Sequence, residues 1–202
     1  IEACGNKFTG ASYKVYTLDG TSELESKKIK KAGKNFSLDL SADKILDEER
    51  ILEVRLNRNG ADPVYFYTRI VSDEDANVAQ CLNYISDYHE NALAKAENAG
   101  VGAALEPTDD ADNTTLQHVT INSNYEQVTW GSLKPQVEQE ERWSIKELNS
   151  TCMSVLLQYR VSCKGEENES DRYAVKEFFR VRYIADAQKA YLLDYDLSLI
   201  HI

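Results

Sequence analysis

The sequence is poor in the residues and motifs on which most functional assignments rest. Its 202 residues contain one methionine, three prolines and three histidines. They include no phosphate-binding glycine loop, no serine-nucleophile motif and no zinc-binding helix motif. No apolar run approaches the ~20 residues of a membrane-spanning helix. The sequence therefore predicts no catalytic residue, no cofactor and no metal site.

Positive charge is also scarce, and it is unevenly distributed. Lys and Arg number 23 against 34 Asp and Glu, for a formal net charge of −11. Residues 1–72 hold 12 basic and 11 acidic side chains, whereas residues 73–202 hold 11 and 23, so their net charges are +1 and −12. An acidic body of this kind repels phosphate groups, so we expect neither nucleic acid nor an anionic lipid surface as a partner.

The four cysteines form no C-x-x-C pair and no cluster with histidine at metal-ligand spacing. They are Cys4, Cys81, Cys152 and Cys163. Two interpretations stay open. In the first, all four are buried or unpaired thiols. In the second, residues 1–6 resemble a lipoprotein cleavage box, in which Cys4 is the acylated residue.

The first third of the chain has the two-residue alternation of short strands. Alternating segments lie at Ala11–Leu18, Lys34–Leu40, Arg50–Arg58 and Val64–Val71, and the charged segment Glu23–Lys31 is typical of a sheet edge. Turn signals separate the strands at Asp19-Gly20 and Asn59-Gly60. The pattern predicts a small β-sandwich-like domain over residues 1–72.

The hydrophobic period changes from two to about 3.6 after Ser72. Residues 72–75 have the spacing of a capping box, and an apolar stripe follows through Val78, Cys81, Leu82, Ile85, Tyr88 and Ala92. The sequence predicts a helix over residues 74–96. His89 lies beside the stripe, and we interpret it as a partly buried or surface residue. His118, in a short strand, is also interpreted as structural.

The C-terminal half predicts an antiparallel meander over residues 151–195. Apolar residues alternate along Met153–Cys163 and Tyr173–Tyr183, interrupted only by Glu177, and a further strand is expected over Ala190–Tyr195. The helix is the expected cover for this apolar face. We predict an α+β, β-rich fold in which domain 73–196 packs a helix on a curved antiparallel sheet, similar in outline to cystatin-like and nuclear-transport-factor-like folds.

One group of basic residues is concentrated within the acidic region. The face opposite the apolar row carries Arg160, Lys176, Arg180 and Arg182, with Phe178 among them. Such a stripe suits an acidic partner, an anionic glycan or a neighbouring domain. The competing interpretation is cross-strand pairing with nearby Glu and Asp.

The last six residues, Leu197–Ile202, resemble one translated frame of the transposon end used to prepare DNA sequencing libraries. The chain also begins at Ile1, without an initiator methionine. We therefore expect an internal fragment of a longer protein. Residues 197–202 are expected to be a non-native tail that makes few specific side-chain contacts.

Five stretches carry a resemblance to known sequences. They are Ser12–Gly20, Tyr65–Ile70, Gln127–Gly131, Glu177–Tyr183 and Tyr191–Tyr195. Together they resemble an uncharacterised family of large extracytoplasmic, membrane-anchored proteins of anaerobic gut Firmicutes, over most of residues 11–196. The resemblance implies an envelope location, with the anchor and further domains outside this chain. It implies no activity.

These observations favour a non-catalytic extracytoplasmic module that serves interaction or sensing within a larger, membrane-tethered envelope protein. The expected partners are other domains of the same protein, another envelope protein or an anionic glycan. The alternative is part of a cell-wall glycan-acting enzyme whose catalytic residues lie partly outside the chain. A pocket with two converging carboxylates, one of them desolvated, would favour the enzyme.

Overall fold

The structure is a computed structural model, which describes residues 8–29, 36–45, 48–72, 76–97, 100–164 and 170–202. The chain divides into two compact units, Ile1–Glu74 and Asp75–Ile202. Two antiparallel sheets and one main helix dominate it, so the predicted α+β, β-rich class is confirmed. None of the helices within the described ranges is long and apolar enough to cross a membrane.

The thiols of three cysteines are described. Cys81, Cys152 and Cys163 are buried and unpaired, as the first interpretation of the cysteines predicts. Cys4, the candidate for acylation, lies outside the described residues, so the second interpretation stays a prediction.

The first unit contains a four-stranded antiparallel sheet in the order β2-β1-β3-β4. Its strands are β1 (Phe8–Thr17), β2 (Glu23–Ile29), β3 (Arg50–Arg58) and β4 (Ala61–Ile70). One face is apolar, as the alternation predicts, and buries Tyr13, Val15, Leu52, Val54 and Leu56. The segment 36–45 packs its apolar side chains on this face, so residues 36–40 are a covering segment rather than the predicted strand.

A buried carboxylate fixes the covering segment to the sheet. Glu25 of β2 accepts hydrogen bonds from the Tyr13 hydroxyl at 2.6 Å and from the Ser41 backbone amide at 3.0 Å. Lys27 Nζ forms an ion pair with the same carboxylate at 2.6 Å. Burial by itself raises the pKa of Glu25, but these three partners outweigh burial and lower the pKa to about 2. Glu25 therefore stays charged and holds the segment by charge-assisted hydrogen bonds.

The second unit contains a five-stranded antiparallel sheet in the order β5-β9-β8-β7-β6. Its strands are β5 (His118–Thr120), β6 (Pro135–Leu148), β7 (Met153–Lys164), β8 (Ser170–Ile184) and β9 (Lys189–His201). The inner face of this sheet is the main core of the unit, and it fully buries Val155, Leu157, Phe179, Val181 and Tyr195. The predicted inward rows of β7 and β8 are confirmed.

The main helix, α1 (Val78–Leu93), covers the inner face. Its Tyr88 ring meets Phe179 edge-on with the centroids 5.7 Å apart, and it also lies 5.4 Å from the Tyr195 ring. The helix is shorter than the predicted range 74–96. Asn77 and Lys95 adopt left-handed backbone conformations, with φ of 48° and 52°, and these interrupt the helical backbone on either side.

The connection between α1 and β6 closes one end of the core. Its short helix α2 (Tyr125–Val128) is capped by Asn124, whose side chain accepts a hydrogen bond from the Gln127 amide at 2.9 Å. The connection buries Val101, Leu105, Val119, Val128 and Trp130. Residues 97–113 contain five acidic and no basic side chains, a composition that predicts an exposed connection, partly helical at most. This prediction is wrong at Val101 and Leu105, because their side chains are buried in the core.

Strand β9 includes five of the six residues predicted to be a non-native tail, Leu197–His201. Leu197 and Leu199 are only 1% and 8% exposed, and both belong to the core. The His201 imidazole lies 3.4 Å from the Asp171 carboxylate, and its ring packs against Tyr173. The expectation of few specific side-chain contacts is therefore wrong, because Leu197 and Leu199 continue the apolar row of Tyr195. The suggested origin of the segment stays a prediction.

Deleting residues 197–202 should lower the free energy of unfolding. The deletion removes two buried leucines from between β5 and β8, and each such loss costs about 2–4 kcal/mol. Chemical denaturation of the full chain and of the truncated chain measures the difference. Deleting only Ile202, which is exposed and follows the end of β9, is the matched control. An unchanged unfolding midpoint for the longer deletion would contradict the structure.

The same substitution should cost far more stability at Val181 than at its neighbour Arg182 on β8. Val181 is fully buried opposite Met153, so Val181→Asp places an unpaired carboxylate in the core and should cost about 3–5 kcal/mol. Arg182 is exposed and donates one hydrogen bond to the Thr151 carbonyl, so Arg182→Asp should cost about 1 kcal/mol. Equal shifts of the chemical denaturation midpoint would mean that the strand register is displaced by one residue.

Candidate functional site

A carboxylate lies in the middle of the apolar inner face of the second sheet. Glu177 of β8 is 1% exposed. It accepts hydrogen bonds from the Tyr159 hydroxyl at 3.0 Å and the Tyr195 hydroxyl at 2.9 Å. Nδ1 of His89, on α1, lies 2.6 Å from the same carboxylate. The prediction that His89 is partly buried or at the surface is wrong, since its side chain lies between α1 and the sheet and is only 1% exposed.

A second carboxylate reaches His89 from β6. Glu141 Oε1 lies 3.2 Å from His89 Nε2, and Glu141 Oε2 accepts a hydrogen bond from Trp143 Nε1 at 3.2 Å. The pairing of β6 with β7 shifts register between Gln139 and Arg142, and this bulge lets Glu141 reach α1. The buried polar network is defined here as His89, Glu141, Tyr159, Glu177 and Tyr195.

The two carboxylates fix the protonation state of His89. An ionised carboxylate only accepts hydrogen bonds, so a ring that faces one at each nitrogen must donate from both, as an imidazolium. Burial by itself lowers the pKa of His89, but the hydrogen bonds and charges of Glu177 and Glu141 outweigh burial and raise the pKa. Burial and the Glu177 charge also raise the pKa of Tyr159 and Tyr195, so both hydroxyls stay protonated donors.

The network is largely closed to solvent. A cleft of about 420 Å³ lies beside it, lined by Leu82, Asn83, Ser86, Trp143, Ile145 and Val155. Trp143 is shared between the cleft and the Glu141 hydrogen bond, but the carboxylates and His89 do not line the cleft. A catalytic acid or base must reach its substrate. In this conformation the network therefore joins helix to sheet rather than facing a substrate.

The predicted basic stripe lies on the outer face of the second sheet and consists of two parts. Arg180 forms an ion pair with Glu147 at 3.2 Å, and its Nε donates to Cys152 Sγ at 3.4 Å. Arg182 Nε donates to the Thr151 carbonyl at 2.9 Å. These two arginines are thus engaged within the chain.

The other part of the stripe is open. Arg160 and Lys176 are exposed, and neither forms an ion pair or hydrogen bond with any other residue that the structure describes. Together with Arg142 of β6 and the amides of Gln139 and Gln158, they line a depression of about 330 Å³. This surface, defined by Arg142, Arg160 and Lys176, is called the basic depression below.

Sequence reasoning missed Arg142 for a structural reason. Simple alternation puts residues three apart on opposite faces, yet Gln139 pairs with Arg160 and Arg142 pairs with Gln158 on the same outer face. The β6 bulge reconciles the two pairings. The weak alternation along residues 137–148 is the one signal in the sequence that this strand is irregular.

Comparison of the chain with protein-family models, curated proteins and solved structures finds no match. Across the described ranges, no group of three or more His, Cys, Asp or Glu side chains is arranged to hold a metal ion. The functional argument therefore rests on the geometry of the buried polar network and the basic depression.

The stability of the second unit should fall as the pH rises above neutrality. His89 has its ordinary pKa of about 6.5 in the unfolded chain and a raised pKa in the folded chain. Its contribution is therefore complete below pH ~6.5 and is lost as the pH rises through the folded pKa. Denaturant unfolding across a pH series measures this decline. His89→Phe, which cannot titrate, should be less stable and should lack that part of the pH dependence. Identical pH profiles for the two proteins would contradict the assignment.

Proposed function

We propose that this chain is a non-catalytic interaction or sensing module of a larger extracytoplasmic, membrane-tethered envelope protein, and that the basic depression binds an anionic glycan. The observation that supports binding is the convergence of Arg142, Arg160 and Lys176 on one depression. These cations lie within residues 73–202, whose net charge is −12. Three cations gathered in an acidic region favour a small anionic group as the ligand.

The side chains around the depression suit an acidic sugar. Guanidinium groups bind carboxylate or sulfate through two parallel hydrogen bonds, and Lys176 adds a point charge. The amides of Gln139 and Gln158 can both donate to and accept from hydroxyl groups. Ile200, 51% exposed at the same depression, offers an apolar contact for the carbon face of a sugar ring. Arg180 and Arg182 lie outside the depression, and we assign them to contacts with a neighbouring domain or another envelope protein.

The finer architecture and the location belong to the same proposal. We assign residues 1–72 to a β-sandwich-like domain and residues 73–196 to a cystatin-like or nuclear-transport-factor-like outline, which the packing of α1 on the antiparallel sheet supports. The envelope location is supported by the family resemblance. Acylation of Cys4 is the alternative means of membrane attachment.

Binding of an acidic oligosaccharide tests the proposal. The probe is a trisaccharide of galacturonic acid, titrated into the isotopically labelled chain by NMR, with neutral maltotriose as the control ligand. Arg160→Gln and Lys176→Gln should each weaken binding about tenfold, the loss expected for one charge-assisted hydrogen bond. Arg182→Gln, on the same sheet face but outside the depression, should leave affinity unchanged. No binding, or equal losses in all three variants, would contradict the proposal.

A second candidate function is supported by the buried polar network. Glu177 and Glu141 converge on His89, and Glu177 is desolvated, which is a pattern found among catalytic carboxylates. Part of a cell-wall glycan-acting enzyme is therefore the alternative. It requires the cleft at Trp143 to open onto Glu141, and turnover of a cell-wall oligosaccharide that is lost in Glu141→Gln would favour it.

A further inference from the structure

The two edges of the first sheet differ in how they discourage pairing with another strand. Edge strand β2 carries several charges, with Glu25 and Lys27 in an ion pair and Glu23 paired with Lys14. Such charges are a common protection of an exposed edge. Edge strand β4 instead exposes Val64, Tyr65, Phe66 and Tyr67 in succession, at 39–58% of their surface. Because these four positions carry neither a charge nor a proline, this part of the edge favours strand addition.

One face of β4 continues the apolar core beyond its cover. Val64 pairs with Leu56 and Phe66 pairs with Val54, so both lie on the core side of the sheet. Leu56 and Val54 are 2% exposed beneath the covering segment, whereas Phe66 is 47% exposed. The covering segment therefore leaves Val64 and Phe66 of β4 partly uncovered, and a further apolar layer would bury these side chains.

The other face of β4 is aromatic and ordered by polar contacts. The rings of Tyr65 and Tyr67 are nearly parallel, with an interplanar angle of 12° and centroids 6.4 Å apart. The Tyr67 hydroxyl donates to Glu53 at 2.9 Å, and the Arg55 guanidinium lies 6.0 Å from the Tyr65 ring. An added strand would therefore meet a preformed aromatic surface on this face.

We propose that β4 pairs antiparallel with β4 of a second copy of this chain, about a two-fold axis at Tyr67. The paired segment is Val64–Ile70, which begins just after Pro63 and therefore has a backbone amide at every position. In this register Val64 faces the partner's Ile70, and Phe66 faces the partner's Thr68. Both copies then join in one eight-stranded sheet.

Charge supports this choice of partner and register. Arg69 is the sole charged residue of the segment, and it faces the partner's Tyr65, so no like charges oppose each other. A cation beside an aromatic ring is favourable. The same contacts form twice across the axis, as a closed two-fold interface requires.

Molar mass in solution tests the pairing. Light scattering during gel filtration, over a series of protein concentrations, should give twice the mass of one chain at high concentration. Phe66→Glu should raise the dissociation constant of the dimer about tenfold or more, because it puts a charge in the centre of the apolar face. Leu18→Glu is the matched control, since Leu18 is 50% exposed in the same unit and lies outside β4. A monomer at every concentration would overturn the proposal.

Disulfide cross-linking tests the register independently of affinity. In a Cys4→Ser background, Tyr67→Cys should form a disulfide between two chains under mild oxidation, because residue 67 faces its own counterpart. Tyr65→Cys should not, because its counterpart lies four residues along the strand, about 14 Å away at ~3.4 Å per residue, beyond disulfide reach. The described native cysteines are buried and should not react. Cross-linking at residue 65, or at neither position, would overturn this pairing.

Discussion

A negative charge held inside an apolar interface is the constraint on which the second unit depends. Glu177 lies on the face that also carries Val175, Phe179 and Val181, where an unpaired carboxylate would be very costly. Its hydrogen-bond partners come from β7, β9 and α1. Because three elements meet at one anion, a shift of any of them would remove one of the three partners of the buried charge. The network therefore favours one position of the helix on the sheet over other positions that apolar packing alone would allow.

The inner face of the second sheet is buried and therefore not available to a partner. The helix and the connection that contains Trp130 fill the inner face, and His89 and Glu177 neutralise each other inside it. We propose that recognition uses the outer face of the second sheet and edge strand β4 of the first sheet. Both surfaces display exposed side chains, namely the cations of the basic depression and the aromatic residues of β4.

Local alternation was sufficient to predict much of the fold. Alternation placed Val181 inward and Arg182 outward, and the helical period identified the buried stripe of α1, because each of these patterns is local in the sequence. The partnership of His89 and Glu177 joins residues 88 positions apart, and no local pattern carries it. In the sequence Glu177 is only an interruption in an apolar row. Its role becomes visible once the strands and the helix are assembled.

Other predictions were wrong where one sequence pattern is compatible with two different structures. Phe36, Leu38 and Leu40 alternate like a strand, but the segment packs on a sheet instead of pairing with one. Leu197 and Leu199 alternate in the same way and do form a strand. Alternation reports which side chains face a core, whereas the backbone pairing depends on whether a free sheet edge is available. For residues 197–202, the strands β5 and β8 supply that edge on both sides of β9.

Repulsion between like charges distinguishes the basic depression from an ordinary exposed cation. An exposed cation without an acidic partner is unremarkable by itself, because a surface ion pair contributes only about 0–1 kcal/mol. The convergence of Arg142, Arg160 and Lys176 is different, because like charges on neighbouring strands repel one another. Acidic side chains are abundant in this unit, and Glu147 pairs with Arg180 only a short distance along the same sheet. A bound anion would relieve the electrostatic repulsion among these three cations. This relief would stabilise the complex, because no acidic side chain of the described residues pairs with Arg160 or Lys176.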